Sequence, residues 1–487
     1  MRLNVTKLSA LSAAVAAAGS LGLLAGTAGA ATFPASHDTQ CENGDSIFGR
    51  GASFARGAHI GWGAEILTPD AFSRLGQGFG YNAAGCNNST SPLVSFAIGR
   101  ESVSYYPSGS GSATALFGFA RANSRVASSF EINFGGTDEP GTSTQNGFAV
   151  DGDPAVSYDN TDLETIPLAG SAIAIDVKLP AGCSVDPADR ILSPTQVEGV
   201  FANDAGFTRW GNIFTITGTS GGNACSSLTI NRVARYDRSG TTFALKQFLH
   251  AVDGAEGWAT TYSTDNRDWP NRSTNWYTSN QINGAGALLD SLSGTTVARD
   301  NAGSTSTIAG GIGYADLATS RGRAYGWYDS AAPDANDERF WVYVRRPSDN
   351  VEVSPAALDD ATTTTDYGAA CDDVRYSNIP ATTEGDWTGL TGTPTNQDYP
   401  ICTPTYALAW EEPADFNRGY NRSIASATGP FTIDQARSTK DYITYALSAH
   451  GQGLLAARDY SALSPDLLRV AQAGAAVLGW NNAEAGE

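Results

Sequence analysis

The sequence predicts an α/β fold. Short runs of β-branched residues alternate with Ala- and Leu-rich segments of helical spacing, and Gly-, Ser- and Thr-rich turns separate them. The alternation contains no repeat of fixed period and no heptad pattern. A chain of 487 residues, 41% of them hydrophobic, is long enough to bury a sizeable core and to form more than one lobe.

The first 30 residues have the organisation of a cleavable export signal. Arg2 and Lys7 are accompanied by an Ala-, Leu- and Val-rich run that ends at Ala28-Gly29-Ala30. We therefore expect the mature protein to work outside the cytoplasm, in the periplasm or secreted. No cysteine directly follows the apolar run, so we expect no lipid anchor, and no later apolar run is long enough to insert into a bilayer.

Charge and cysteine usage narrow the function classes. With 50 acidic and 30 basic residues, the chain has a net charge of −20, which disfavours nucleic acid and anionic membranes as partners. An even number of cysteines in an exported protein favours disulfides, and six cysteines allow fifteen complete pairings. The weakly preferred set closes the shorter loops: Cys41–Cys86, Cys183–Cys225 and Cys371–Cys402. No cysteine or histidine cluster has metal-site spacing, so we expect neither a metal nor a cofactor.

Two strand ends in the first third of the chain are followed by polar turns. Residues 103–106 read as a strand, the turn at 107–112 follows, and a helix over 113–119 would have Ser110 near its N-cap. Residues 130–134 read as a second strand, so Asp138 would emerge at its carboxyl end, where ligands of open α/β sheets collect. The alternative for Asp138 is a turn residue that precedes Pro140.

The segment from Arg235 to Phe243 has the composition of an oxyanion cradle. An arginine fork can hold a tetrahedral anion with two parallel hydrogen bonds, and Ser239, Gly240 and Thr241 offer backbone N–H groups at the positive end of a following helix. Taken alone, the segment is more typical of a capped surface helix behind a structural arginine. The helix is predicted from an apolar stripe at helical spacing: Phe243, Ala244, Leu245, Phe248 and Leu249.

The later part of the chain predicts further elements. Residues 166–179 and 408–410 read as strands that cross between lobes, and residues 362–365 and the stretch up to 397 read as surface insertions. Ser464-Pro465 supplies an N-cap and a first-turn proline for a helix through Val477.

One pattern favours an enzyme instead. Gly218 to Gly222 fits the G-x-S-x-G pattern of serine hydrolases, with Ser220 as the nucleophile. A nucleophile elbow joins a buried strand to a helix, whereas Asn223-Ala224-Cys225 and another apolar run follow here. A glycine-rich hairpin is the better interpretation, and we expect a protein that is not an enzyme.

Several ordered motifs together resemble the phosphate-binding proteins of phosphate ABC transporters, the PstS-like family of two-lobe periplasmic binding proteins. The resemblance covers nearly the whole mature chain. Its main motifs are Gly51-Ala52-Ser53-Phe54, Gly109-Ser110-Gly111-Ser112, the stretch from Phe134 to Pro140 and the stretch from Arg235 to Thr241, supported by Gly311-Ile312-Gly313-Tyr314-Ala315 and Tyr399-Pro400-Ile401.

The resemblance implies a type II-like architecture. Each lobe would be a mixed sheet flanked by helices, and two strands would form the hinge. Residues 31–172 and 403–487 would form the first lobe, and residues 173–402 the second, with insertions.

The resemblance also implies a ligand, inorganic phosphate, and a set of residues that bind it. From the first lobe these are Ser53 and the Phe54 amide, Ser110 and Asp138. Serine replaces the threonine usual at position 53 and keeps a hydroxyl donor.

From the second lobe the implied ligands are Arg235, Ser239, Gly240 and Thr241, with Asp237 orienting Arg235. Arg238 departs from the family, which more often has glycine there. The implied partner is an ABC transporter permease; the alternative is a secreted phosphate scavenger or a surface protein with the same fold.

Overall fold

The structure is a computed structural model, and it describes residues 47–52, 54–65, 94–98, 133–140, 163–237, 239–258, 269–272, 275–279, 281–294, 296–298, 305–325, 338–357, 368–395, 398–411, 413 and 433–479. The predicted export signal, the elements predicted over 103–119, and Ser53, Ser110 and Arg238 lie outside these residues.

Strands and helices alternate along the described chain. The strands are β1 Ile47–Gly51, β2 Val94–Ile98, β3 Phe134–Thr137, β4 Leu163–Lys178, β5 Cys183–Val185, β6 Ile191–Leu192, β7 Ile216–Ser220, β8 Asn223–Ala224, β9 Asn231–Val233, β10 Trp276–Tyr277, β11 Thr296–Ala298, β12 Thr305–Thr307, β13 Gly311–Asp316, β14 Arg339–Trp341, β15 Tyr343–Arg345, β16 Glu352–Val353, β17 Arg375–Ser377, β18 Thr391–Thr393 and β19 Cys402–Trp410. The α-helices are α1 Arg56–Glu65, α2 Pro194–Ala202, α3 Gly240–Val252, α4 Ala285–Ser293, α5 Leu317–Gly322, α6 Ile433–Ala446, α7 Ala449–Gly453 and α8 Pro465–Val477.

One mixed sheet organises the described residues. Its strand order is β10-β9-β13-β4-β19-β3-β1-β2, and β14 also pairs with β4. The pairs β1–β2, β1–β3, β9–β10 and β9–β13 are parallel, whereas β4 pairs antiparallel with both β13 and β19. The two parallel groups are therefore joined through the antiparallel pair β4–β19.

Strand β4 is long enough to serve both groups. Leu163 to Ala172 pair with β19, and Ile173 to Lys178 pair with β13. All of its residues except Lys178 are buried, as in strands covered on both faces. This burial explains the continuous apolar run that predicts a strand over residues 166–179.

Two separate hydrophobic cores lie on either side of this junction. We call them the first core and the second core. Strand β4 contributes to both cores, and so does β19 together with the residues that directly precede it. The first core includes Trp62, Phe134, Ile166, Leu168, Tyr406, Ala407, Ala409, Tyr442, Tyr445 and Leu467. The second core includes Ile173, Ile175, Trp210, Leu245, Leu288, Tyr314, Phe340 and Ile401.

Several predicted elements are found where the sequence patterns place them. Helix α3 contains the predicted apolar stripe, of which Phe243, Leu245 and Leu249 are buried. Helix α8 begins at Pro465 and ends at Val477 as predicted, although the side chain of Ser464 makes no capping hydrogen bond.

The 368–395 segment, predicted as part of a surface insertion, is partly buried. Trp387 is 1% exposed and belongs to the first core. The Thr165 amide donates to the Thr383 carbonyl at 2.9 Å, and the Thr383 hydroxyl donates to Glu164. Most residues of the segment are exposed or half-buried, as predicted, but the prediction is wrong for Trp387, because an isolated tryptophan in a polar stretch has no periodicity to reveal its burial.

Two of the three preferred disulfides are present. Cys183 pairs with Cys225, and Cys371 with Cys402; Cys41 and Cys86 lie outside the described residues. Such bonds are typical of proteins that fold in an oxidising compartment. Over the part of the chain that the structure describes, we find no helix with the length and apolar character that a membrane span requires.

Candidate functional site

A buried ion pair lies between β9 and α3. Arg235 is 2% exposed and Asp237 is 1% exposed. The Arg235 Nε donates to Asp237 Oδ1 at 2.8 Å, and Nη2 donates to Oδ2. This bidentate geometry fixes the plane of the guanidinium group.

Neighbouring elements hold this pair in position. The Gly284 amide donates to Asp237 Oδ1 at 3.1 Å, and the Thr278 hydroxyl donates to the Arg235 carbonyl at 3.2 Å. Burial alone would lower the pKa of Arg235, but the charge and hydrogen bonds of Asp237, with smaller effects of Tyr314 and Asp138, raise it above its ordinary value. Arg235 is therefore a permanent, buried positive charge.

The N-terminus of α3 lies beside this charge. The Ser239 Oγ accepts the Thr242 amide at 3.2 Å, and Ser239, Gly240 and Thr241 are buried. The Arg235 Nη1 is 3.5 Å from Thr241 Oγ1. First-turn N–H groups have no partner within their own helix, and the helix dipole adds positive potential there. The structure thus brings together Arg235, Asp237, Ser239, Gly240 and Thr241 in a setting suited to an anion.

Asp138 directly follows strand β3, which spans Phe134–Thr137 and so lies later than the predicted 130–134. Its side chain is buried, and its Oδ1 accepts the Thr405 hydroxyl at 3.0 Å. Because the charge of Asp138 contributes to the raised pKa of Arg235, the two groups lie within electrostatic reach of one another. A carboxylate and a guanidinium therefore face the same region from the two sides of the β4–β19 junction.

Phe54 lies between β1 and α1 and packs in the second core. It is buried, and its carbonyl accepts a hydrogen bond from the Tyr460 hydroxyl. Burial raises the pKa of Tyr460 well above its ordinary value, and the charges of Asp316 and Asp138 raise it further. Tyr460 therefore connects the backbone at Phe54 to the acidic groups of the site. Ser53 and Ser110 lie outside the described residues.

Asp316 is a site residue that the sequence analysis missed. It ends β13 and caps α5, with Oδ1 accepting the Thr319 amide at 2.9 Å; its buried Oδ2 has no hydrogen-bond partner among the described residues. Burial raises its pKa to about 6, while the Thr319 hydrogen bonds and the charge of Arg235 oppose the rise. The feature of the sequence that could have identified Asp316 is its position at the end of a buried strand, one residue beyond the motif that ends at Ala315.

Tyr314, which belongs to the motif from Gly311 to Ala315, contacts both Arg235 and the first turn of α3. Its hydroxyl is 2.6 Å from Thr242 Oγ1 and accepts the Arg235 amide at 3.3 Å. Tyr314 is completely buried, so it ties β13 to both the arginine and the first turn of α3.

A cleft with a volume of about 350 Å³ opens at Asp138, whereas Arg235, Ser239, Gly240 and Thr241 do not line it. Asp138 and Ile173 line it, together with residues of α3, the start of β19 and the 368–395 segment. The cleft therefore borders both cores.

One group of carboxylates among the described residues could hold a cation. Oxygens of Glu164, Glu384 and Glu411 lie within 4.8 Å of one another. The group lies at the start of β4, whereas Ile173 of the cleft lies nine residues further along the strand. It is therefore separate from the anion cradle.

Ser220 does not lie in a nucleophile elbow. It ends β7, which pairs antiparallel with β8 across Gly221 and Gly222. Both glycines have positive φ, +57° and +82°, which the tight hairpin turn requires. The predicted glycine-rich hairpin is confirmed.

Comparisons with known proteins give a family and a fold. The family model described as "PBP superfamily domain" matches residues 99–450. No curated protein matches the chain significantly. Among solved structures, a high-affinity periplasmic phosphate-binding protein with bound phosphate, PfluDING, is similar over 90% of this chain and 96% of its own, at 16% identity and a TM-score of 0.50.

Two further solved structures are similar to the same degree. A DING protein matches at 19% identity, covering 88% of this chain and 94% of its own, with a TM-score of 0.50. The ancestral soluble variant of the human phosphate-binding protein matches at 17% identity, covering 88% and 93%, with a TM-score of 0.50. At such identities the matches show the fold alone, which is the mixed α/β fold of type II periplasmic phosphate-binding proteins.

Proposed function

The chain belongs to the PBP superfamily domain family, and from that premise we propose that it captures inorganic phosphate in a cleft between two lobes. The proposed first lobe comprises residues 31–172 and 403–487, and the second comprises residues 173–402. The two hydrophobic cores support this division in part, since Phe54 of the proposed first lobe packs in the second core and Trp387 of the proposed second lobe packs in the first core. The antiparallel pair β4–β19 supplies the proposed hinge. Similarity to proteins named as phosphate-binding supports the choice of ligand.

The observation that carries the proposal is the buried guanidinium of Arg235, fixed by Asp237 beside the first turn of α3. A phosphate dianion can be held away from water without an equal number of positive charges when several N–H and O–H donors converge on it. Local donors then outweigh the distant, screened charge of a chain with a net charge of −20.

In this proposal the second lobe contributes Arg235, Ser239, Gly240 and Thr241. A hydroxyl can accept and donate at once, so the capping bond of Ser239 is compatible with donation to an anion. The first lobe contributes Ser53, the Phe54 amide, Ser110 and Asp138.

Asp138 selects for a protonated anion. Its carboxylate can accept the proton of hydrogen phosphate, whereas fully ionised sulfate meets it with repulsion and no donor. Discrimination between two anions of similar size then depends on one proton.

Isothermal titration calorimetry of the mature protein tests this function. We expect phosphate to bind and sulfate not to compete. Asp138→Asn should weaken phosphate binding by about 10- to 100-fold, since a hydrogen bond to a charged group contributes about 1.5 to 3 kcal/mol, and should allow sulfate to compete. Asp290→Asn, at an exposed ion pair with Arg323, is the matched control and should leave phosphate binding unchanged. Equal affinity of the unaltered protein for the two anions would contradict the role of Asp138.

We propose that the exported protein delivers phosphate to the permease of an ABC-type importer. The predicted export signal, the two disulfides and the periplasmic location of a similar phosphate-binding protein support an extracytoplasmic site of action. Phosphate uptake by cells that lack the chain, with and without its restoration, separates delivery from simple scavenging. An uptake rate that does not depend on the chain would favour the scavenger.

A further inference from the structure

The cleft beside Asp138 extends beyond the anion cradle. It follows helix α3 from Phe243 in its first turn to His250 and Ala251 in its last. Since a volume of about 350 Å³ lies within the range of about 300–1,000 Å³ typical of sites for organic ligands, it is larger than a single inorganic anion needs.

The wall opposite α3 is formed by the 368–395 segment, with Tyr376, Leu390 and Thr391 at the cleft. The segment is anchored at two points. The Cys371–Cys402 disulfide ties its start to β19, and Trp387 is buried in the first core.

A direct contact joins the two walls. The Gln247 Nε2 on α3 donates to the Thr388 carbonyl at 3.3 Å. The floor comes from the β4–β19 junction, where Ile173, Ile401 and Pro404 line the cleft. The cleft is therefore enclosed on three sides by elements that are themselves well anchored.

Asp138 connects the cleft to the cradle. It lines the cleft, and its charge acts on the pKa of Arg235. Phe243 also lines the cleft, and it lies in the first turn of α3, whose N-terminus forms the cradle. Since Arg235, Ser239, Gly240 and Thr241 do not line the cleft, a substituent on an anion at the cradle would enter the cleft past Asp138 and Phe243.

We propose that the cleft binds the organic group of a phosphate monoester whose phosphoryl group occupies the Arg235 cradle. This inference rests on the proposed function and extends it from inorganic phosphate to its monoesters. A monoester in its monoanionic form, which predominates below its second pKa of about 6, has a proton that Asp138 can accept, whereas a diester has none. The 368–395 segment gains a role as the outer wall of the ester site.

The lining defines the organic group. Phe243, Phe248, Tyr376 and Leu390 offer apolar surface, and Gln247 offers a polar group. Among the described residues that line the cleft, none is a lysine or an arginine. His250, at the far end of α3, is the one basic side chain among these residues, so the surface nearer the cradle favours an organic group that is uncharged and at least partly apolar.

Calorimetry at about pH 5, where a phosphate monoester keeps one proton because its second pKa is about 6, tests the inference. The ligands are inorganic phosphate, phenyl phosphate and the diester methyl phenyl phosphate. We expect phenyl phosphate to bind within about tenfold of inorganic phosphate and to compete with it, and the diester not to bind; a tenfold change corresponds to about one unit in the logarithm of Kd. Phosphate binding without phenyl phosphate binding would overturn the inference and leave the proposed function standing. Failure of both ligands to bind would overturn both.

Two variants test where the ester group binds. Ala251→Trp on α3 and Thr391→Trp on the opposite wall are at exposed positions that line the cleft. Each should weaken phenyl phosphate binding at least tenfold and leave inorganic phosphate unchanged. Ala473→Trp, at an exposed position on α8 outside the cleft, is the matched control and should change neither. Equal binding of phenyl phosphate by all three variants, or equal loss of both ligands in the two cleft variants, would place the ester group elsewhere and overturn the inference.

Discussion

At the scale of single residues, the Arg235–Asp237 pair combines a structural role with the proposed role in binding phosphate. Both side chains are almost completely buried, and Asp237 also accepts the Gly284 amide. Removing one partner of such a pair leaves an uncompensated charge in a low-dielectric environment. An arginine variant therefore perturbs the fold as well as the anion site, and the two effects need to be separated.

A double variant separates them. Arg235→Ala should lower the free energy of unfolding by about 3–5 kcal/mol, because Asp237 is left buried and unpaired. Arg235→Ala combined with Asp237→Asn should recover part of that loss, since the amide carries no charge and its oxygen can still accept from Gly284. Both variants should weaken phosphate binding by about 100-fold or more, since at least two hydrogen bonds to the anion are lost. Urea denaturation and calorimetry measure the two quantities, and phosphate binding by the double variant at full affinity would remove Arg235 from the site.

Asp316 predicts a pH dependence of stability. Its carboxyl titrates near 3.8 when unfolded, and burial raises its pKa in the folded protein to about 6. Between these values the unfolded chain loses the proton first, so the folded state binds more protons and the free energy of unfolding falls as pH rises. The full penalty of about 3 kcal/mol is reached above the folded pKa.

Asp316→Asn removes this titration and keeps a good N-cap for α5. We expect its free energy of unfolding, relative to the unaltered protein, to increase by about 2 to 3 kcal/mol between pH 4 and pH 7. Asp316→Ser, which also caps without titrating, should follow the same trend in urea denaturation. A constant difference across this range in both variants would show that the carboxyl is not perturbed.

The site residues differ in how far sequence could identify them. Arg235 and Asp138 stand out because each lies in a local pattern, a strand end or a turn before a helix. Asp316 does not, since its closeness to Arg235 depends on the parallel pairing of β13 with β9, in which Ile312 lies opposite Arg232. That pairing joins segments about eighty residues apart, so no local pattern in the sequence reveals it.

At the scale of elements, helix α3 has its N-terminus beside Arg235 because Ser239 is its N-cap residue. Ser193 begins α2 in the same way, accepting the Gln196 amide at 3.2 Å, the same distance as that from Ser239 Oγ to the Thr242 amide. The two serines are therefore matched in capping, and only Ser239 lies beside the cradle.

Ser239→Ala and Ser193→Ala should each lower the free energy of unfolding by about 1 kcal/mol through loss of the cap. Only Ser239→Ala should also weaken phosphate binding, by about tenfold, since a hydroxyl donor to the anion is lost. Calorimetry at one temperature and urea denaturation distinguish the two. Equal phosphate affinity in both variants would limit Ser239 to capping.

Elements with a strong local period were predictable, and those held by distant contacts were not. Helices α3 and α8, strand β4 and the β7–β8 hairpin follow from apolar spacing, a first-turn proline and paired glycines. The 368–395 segment has no such period. Its position is set by Trp387, by the Thr383 contacts with β4 and by one disulfide, all of which join residues far apart or in polar surroundings.

At the scale of the whole molecule, one sheet runs through both cores, and β4 and β19 are its only shared strands among the described residues. A change of twist in this antiparallel pair would reorient one core against the other while leaving each intact. The irregularity in register between Thr405 and Tyr406 lies within this pair, directly beside the hydrogen bond from Thr405 to Asp138. The proposed hinge and the proposed ligand site are therefore built from the same few residues.

This arrangement predicts that phosphate closes the molecule. Ligand groups on both sides of the hinge can contact one anion together only when the lobes approach, so saturating phosphate should reduce the radius of gyration measured by small-angle X-ray scattering. A ligand that binds the folded state alone raises the free energy of unfolding by about 2.7 kcal/mol at a free concentration about 100 times Kd, and we expect this effect from phosphate. Sulfate at the same concentration should do neither, and the Arg235→Ala, Asp237→Asn double variant should respond to phosphate far less than the unaltered protein does. Stabilisation by phosphate without any change in scattering would mean that the anion binds to a molecule already closed, and the hinge at β4–β19 would then have no part in capture.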